Sequence, residues 1–157
     1  STTETWCRQL CEQKQAIHRR TDRRSFIMEC VTNVVVQRED IDELEHVNNK
    51  VYVHYFEKGR IDWYSKSGLT IDTMRKRQLG TAVVKLTITF LKEARLGESL
   101  RIKTSPVRLG NTSFDLKQEI FNAAGEKITE ALVTSVMFDL EKRKSTRVAP
   151  EIACQFR

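Results

Sequence analysis

The densest concentration of groups able to do chemistry in this 157-residue chain lies in residues 40–64. A carboxylate-rich loop comes first, Asp40-Ile41-Asp42-Glu43-Leu44-Glu45, followed by His46-Val47-Asn48-Asn49. An aromatic-rich segment follows, from Lys50 through Tyr52, Tyr55, Phe56, Gly59 and Arg60 to Trp63 and Tyr64. The first turn of a helix leaves N–H groups without intrahelical acceptors and carries partial positive charge. A carboxylate delivered beside such donors is placed to attack, or to help water attack, a carbonyl whose oxygen rests on them.

The elements that must position these groups follow from spacing. Asn48 or Asn49 is a good N-cap, because its side chain can accept a first-turn N–H. The helix is expected over about Asn49–Ser67, with Gly68 as its stop. Tyr52, Phe56, Gly59 and Trp63 keep a helical spacing, as do Val51 and Tyr55, while Lys50, His54, Glu57 and Lys58 form a wetter stripe. Residues 30–38 are rich in β-branched side chains and read as a strand leading into the acidic loop. A short helical segment is expected over 71–78, and β structure after it. Residues 82–91 place Val84, Leu86, Ile88 and Phe90 on one face. Further strands cover 98–107, 112–122 and 127–140, the last apolar on both faces, which suits a central strand. Gly97, Gly110-Asn111 and Asn122-Ala123-Ala124-Gly125 mark the connections. Strand, long helix, then four strands is an α+β plan, one antiparallel sheet wrapped on one buried helix.

The pattern Asp-x-x-x-His-Val-Asn-Asn-x-x-Tyr-x-x-Tyr-Phe-Glu-x-Gly-Arg is carried by Asp42, His46, Val47, Asn48, Asn49, Tyr52, Tyr55, Phe56, Glu57, Gly59 and Arg60. It closely resembles the signature of the hotdog-fold acyl-CoA thioesterases of the 4-hydroxybenzoyl-CoA thioesterase group. The resemblance extends more loosely over residues 30–150 and does not reach the first thirty. It implies a hotdog fold, at least a homodimer with sheets paired edge to edge, and active sites between subunits. It also implies hydrolysis of an acyl-CoA to the free acid and coenzyme A. Asp42 would be nucleophile or general base, with the backbone N–H of Asn49 polarising the carbonyl. His46 would orient the loop or touch the thioester, a purely structural histidine being an equal alternative, and Asn48 would brace the loop. Coenzyme A is expected to lay its phosphates on Lys92, Arg95, Arg108 and Lys117, with donors from Asn111, Thr112 and Ser113. No other cofactor and no metal is implied; His54 and Glu57 share a helix face, but two residues do not make a metal site. Glu45 stands where the family usually has glycine, a residue that permits positive φ, so strain is expected there.

The chain divides into an N-terminal extension (1–29), the main domain (30–150) and a tail (151–157). In the extension Trp6, Leu10 and Ile17 make one thin apolar stripe of a helix over residues 5–20. The tail beyond Glu141 is charged and expected to be loose, except where Val148 and Ile152 find a surface. With 39% hydrophobic and 31% charged residues the chain reads as an ordinary soluble domain. No run approaches the roughly 20 apolar residues of a membrane helix, and the first residues lack a basic-then-apolar signal pattern. Cys7, Cys11, Cys30 and Cys154 match no zinc or redox spacing and read as reduced thiols of a cytoplasmic protein. The net charge of +6 favours anionic partners. The basic clusters lack interleaved aromatics and any nucleic-acid motif, which argues against nucleic acid. The rival to an acyl-CoA hydrolase is a non-catalytic hotdog module that binds acyl-CoA or a protein partner.

Overall fold

A computed structural model describes residues 28–156 of the chain; the helix expected over 5–20 lies outside the described residues, with Cys7 and Cys11. The first strand, β1 (Cys30–Val35), gives way to a single 3-10 turn at Arg38–Asp40. The acidic loop then enters the long helix α1 (Asn49–Ser67), followed by the short α2 (Ile71–Lys76). Four strands follow, β2 (Leu79–Phe90), β3 (Ser99–Leu109), β4 (Ser113–Phe121) and β5 (Lys127–Asp139). The two-residue β6 (Lys144–Ser145), α3 (Pro150–Ala153) and a 3-10 turn (Cys154–Phe156) complete the chain. The strands form one antiparallel sheet in the order β1-β3-β4-β5-β2, with β6 beside the end of β5. This is the hotdog architecture, a curled sheet with α1 against its inner face. The strand β5, read as central from its apolar character, is an interior strand paired on both sides, by β4 and by β2.

Alternation along the strands decides which side meets the helix. Leu100, Ile102 and Thr104 of β3, Phe114, Leu116, Gln118 and Ile120 of β4, and Val133, Ser135 and Met137 of β5 are buried. Register places Ile102 opposite Ile120 and Leu116 opposite Val133, so these side chains form layers under α1. Full burial of residues such as Phe56, Ile102 and Val133 stabilises by roughly 1.5–3 kcal/mol each. The helix comes closest at Gly59, where an added Cβ would stand 2.9 Å from both Gln118 Nε2 and Ile102 Cγ2. Gln118 answers the polar demands of this crossing. Its amide donates to Phe56 O at 2.9 Å and to Thr104 Oγ1 at 3.0 Å, and its carbonyl oxygen accepts from Arg60 Nη1 at 3.1 Å. Arg60 therefore spends its place in the helix on a core contact.

One sequence expectation changes here and another is extended. A bulge between Val83 and Lys85 shifts the β2 register, so Val83 faces Ser135 while Leu86 faces Val133. Val84 therefore leaves the face of Leu86, Ile88 and Phe90 and is 61% exposed. The tail docks where Val148 and Ile152 find a surface, as expected, and the docking extends to their neighbours. Val148, Ala149 and Ile152 are buried against Trp63, Leu69, Phe114 and Met137. The Val148 N–H donates to Asn111 O at 3.0 Å, and Arg77 Nη1 meets Glu151 Oε1 at 2.6 Å. The charged residues of this segment hid an apolar set spaced to seal the C-terminal end of α1.

Candidate active site

Residues 41–47 double back on themselves. Ile41 and Val47 form an antiparallel bridge, the Asp42 N–H donates to His46 O at 3.1 Å, and the Glu45 N–H to Asp42 O at 3.0 Å. Closing so tight a loop puts Glu45 at φ 62°, in the left-handed region. That conformation costs an L-residue roughly 1–2 kcal/mol, so the strain expected from a glutamate in a glycine position is present. The loop is held from both sides: Val47 is 1% exposed and its N–H donates to Ala94 O at 2.8 Å, while the Asn48 N–H donates to Asp40 O at 3.0 Å.

Within this loop Asp42 Oδ1 accepts the Leu44 N–H at 2.9 Å, a local Asx-type turn. His46 Nδ1 lies 3.9 Å from the same oxygen and 3.4 Å from Val47 O. The Asp42 and His46 side chains are 25% and 27% exposed, neither sealed away nor fully in solvent. Asp42 Oδ2 carries no protein hydrogen bond among the described residues.

The start of α1 follows the sequence reading closely. Asn48 has extended backbone and its side-chain oxygen accepts the Lys50 N–H at 3.0 Å. The Val51 N–H donates to Asn48 O at 2.9 Å. Among the described residues the Asn49 N–H has no protein acceptor, so one donor at the positive end of the helix is uncommitted. Asp42, His46, Asn48 and Asn49 thus share one loop and helix start. A carboxylate with a free oxygen, a histidine and an unclaimed N–H together suit attack on an acyl carbonyl.

The residues expected to hold coenzyme A do not converge within one chain. Lys92 and Arg95 lie in the β2–β3 connection that also supplies Ala94 O to the acidic loop. Lys92 pairs with Glu126, and Arg95 Nη2 with Glu93 Oε1 at 2.9 Å. Arg108, Asn111, Thr112 and Ser113 lie at the β3–β4 turn, near the opposite end of α1. At 1.5 Å per residue, the 19 residues of α1 separate the ends by roughly 28 Å. Arg108 Nε meets Asp115 Oδ2 at 2.8 Å, and this contact holds the Asp115 carboxyl below the ordinary carboxylate range. Asn111 O and Thr112 O accept from Val148 and Met137 N–H groups, and Ser113 Oγ accepts from Arg108 Nη2 at 3.3 Å. Lys117, on the outer face of β4, lies 3.9 Å from Glu119. The sequence reading missed Asp40 and Tyr55 as partners. The Tyr55 hydroxyl donates to Asp40 Oδ2 at 2.8 Å. The local sequence marks Tyr55 only as a member of a core stripe.

Residues 36–156, from the end of β1 through the loop and helix to the tail, match the family model described as the thioesterase-like superfamily. The chain is 28% identical over 122 residues to the long-chain acyl-CoA thioesterase FadM of Escherichia coli (strain K12), covering 77% of this chain and 92% of that protein. It is 27% identical over 124 residues to the acyl-CoA thioester hydrolase YbgC of Escherichia coli O6:H1, covering 79% of this chain and 92% of that protein. A Staphylococcus aureus protein solved in complex with CoA superposes with a TM-score of 0.78 at 15% identity, over 86% of this chain and 88% of that one. At that identity the likeness speaks for the fold. With its loop, helix and sheet all inside the matched span, the chain belongs to the thioesterase-like superfamily.

Proposed function

We propose that the protein hydrolyses an acyl-CoA thioester to the free carboxylic acid and coenzyme A, with Asp42 as nucleophile or general base. The observation that carries this reading is that one tight loop and the helix start it leads into hold an Asp42 oxygen and an Asn49 N–H, neither with a protein partner among the described residues. The Asn49 N–H polarises the thioester carbonyl and holds the oxyanion that forms on attack. His46 keeps the Asp42 carboxyl oriented, and Asn48 caps the helix so that its first turn stays formed. The thiolate of coenzyme A leaves readily, so no strong general acid is required. The names of FadM and YbgC support acyl-CoA as the substrate class.

The same reading makes the working unit a homodimer. Among the described residues the 12-residue strand β2 pairs only with β5, and Val83, Val84 and Phe90 along it are 44%, 61% and 46% exposed. An unpaired edge with apolar flanks suits pairing with a second copy. Lys92 and Arg95 then serve coenzyme A from the same chain. Arg108, Asn111, Thr112, Ser113 and Lys117 reach a site only as contributions from the second copy. The buried free thiol of Cys30 fits a cytoplasmic setting.

Thiol release measured over a panel of acyl-CoAs tests the proposal. Asp42→Ala is expected to lower kcat/KM by about 100-fold or more, with a melting temperature close to that of the parent. A variant as fast as the parent removes Asp42 from the chemistry. A parent that binds acyl-CoA without releasing thiol favours the non-catalytic module.

A further inference from the structure

Asp40 stands two residues before Asp42 and is held from three sides. Its Oδ2 accepts the Gln37 N–H at 2.9 Å and the Tyr55 hydroxyl at 2.8 Å, and its backbone oxygen accepts the Asn48 N–H at 3.0 Å. The end of β1, the inner face of α1 and the cap of α1 therefore meet on one residue. Tyr55 is 2% exposed and packs in the cluster of Val36, Val47, Tyr52 and Phe56. A phenyl ring would fill that site equally well. The hydroxyl is the one part of the side chain that apolar packing does not explain, and its described partner is Asp40. Burial, then the contact with Asp40, pushes the Tyr55 hydroxyl pKa up, so it stays a donor at any ordinary working pH.

We infer that Asp40 and Tyr55 are positioning residues for the reaction: their hydrogen bond ties the acidic loop to the second turn of α1 and fixes Asp42 relative to the Asn49 N–H. Neither residue needs to touch the substrate. The loop is otherwise anchored at its ends by the packing of Ile41 and Val47 and by main-chain hydrogen bonds, and it carries a strained Glu45, so a side-chain tether from the rigid helix helps set where its carboxylate points. Displacing a reacting group by about 1 Å can cost up to 100-fold in rate. The Tyr55 hydroxyl donates to a carboxylate, and hydrogen bonds to charged groups are stronger than neutral ones, so the tether acts on catalysis as well as on folding. The inference rests on the thioesterase reading for its kinetic consequence and on the loop geometry alone for its structural one.

Kinetics and amide hydrogen exchange on the full chain separate the two. Tyr55→Phe is expected to lower kcat for thiol release about tenfold while KM changes by less than about twofold, with a measurable drop in melting temperature that leaves the chain folded at the assay temperature. Asp40→Asn keeps a carbonyl oxygen that can accept from both Gln37 and Tyr55, and should retain most of kcat. Asp40→Ala should fall at least as far as Tyr55→Phe, and the double variant Tyr55→Phe/Asp40→Ala no further than Asp40→Ala alone. In Tyr55→Phe the Glu45 and Asn48 amides should exchange about tenfold faster, whether or not the protein hydrolyses thioesters. Parent-like kcat in Tyr55→Phe, or loss in Asp40→Asn equal to that in Asp40→Ala, overturns the positioning role. Unchanged exchange in Tyr55→Phe overturns the tether itself. A parent without thioesterase activity but with faster loop exchange in Tyr55→Phe overturns only the function proposed above and upholds the tether.

Discussion

At the C-terminal end of α1, Trp63, Leu69, Phe114 and Ile152 are 0% exposed, whereas at the N-terminal end Asp42 and His46 keep about a quarter of their side-chain surface in solvent. The closed end is built redundantly. Gly68, at φ 107°, sends its N–H to Tyr64 O and Ser65 O, and Trp63 Nε1 donates to Met28 O at 3.0 Å. The Arg77–Glu151 pair then holds the tail over the apolar layer. The open end contains a left-handed glutamate and, among the described residues, a carboxylate oxygen and an N–H without protein partners. On the proposed function, stability and reactivity are divided along one helix. The C-terminal end is sealed by apolar packing, even though Tyr64 Oη and Glu151 Oε2 are buried without hydrogen bonds among the described residues, and the end that would meet a substrate leaves groups available. Strained backbone survives where surrounding structure over-determines it, and here the Ile41–Val47 bridge and the Asn48 and Val47 hydrogen bonds do that.

Three substitutions beyond the Asp42 and Tyr55 variants test this division. Trp63→Ala should be the most damaging to folding, at about 3–5 kcal/mol, since it empties a fully buried aromatic site. Calorimetry or denaturant titration reads the loss. Below the transition, thiol release per folded molecule should stay within about threefold of the parent, and a collapse of the rate without unfolding would join the two ends. Arg77→Ala should cost about 1–2 kcal/mol in denaturant titration. It leaves Glu151, 9% exposed, without its partner for Oε1, and the second oxygen already has no hydrogen bond. The cost is held down because the Arg77 side chain is 39% exposed. Equal stability in parent and variant would mean the tail is held by Val148 and Ile152 alone. Glu45→Gly should have the smallest effect, a gain of up to about 1 kcal/mol as the left-handed strain disappears. Its rate should move by less than about threefold, because Asp42 Oδ1 keeps its contact with the Leu44 N–H. A large loss of rate would make the strain at Glu45 part of the working geometry.

Much of the site was legible because its signals are local. The Asn48 cap, the Gly68 stop and the Gly125 turn each depend on a hydrogen bond or a positive φ within a few residues, and all three stand where spacing placed them. The loop fold was partly legible too, in that a glutamate was read at a position calling for positive φ. The position of Val84 was not, because a bulge depends on how two strands settle against each other. The docking of the tail was legible only in Val148 and Ile152, because its apolar residues are diluted among charges and find their surface only once β4, β5 and α1 are assembled.

The linear order of residues by itself determined the helix and its limits, the strands, and the place of Asp42 in the loop that leads into α1, because capping, periodicity and turn chemistry act over a handful of positions. Only the tertiary structure decided that the Tyr55 hydroxyl donates to Asp40, that Gln118 accepts from Arg60, and that the Arg108 turn stands a helix length from Lys92 and Arg95. Those pairings join residues as far as 58 positions apart in the chain. Which donor meets which acceptor over such separations is set by sheet register and helix placement, and neither is written in any short run of sequence.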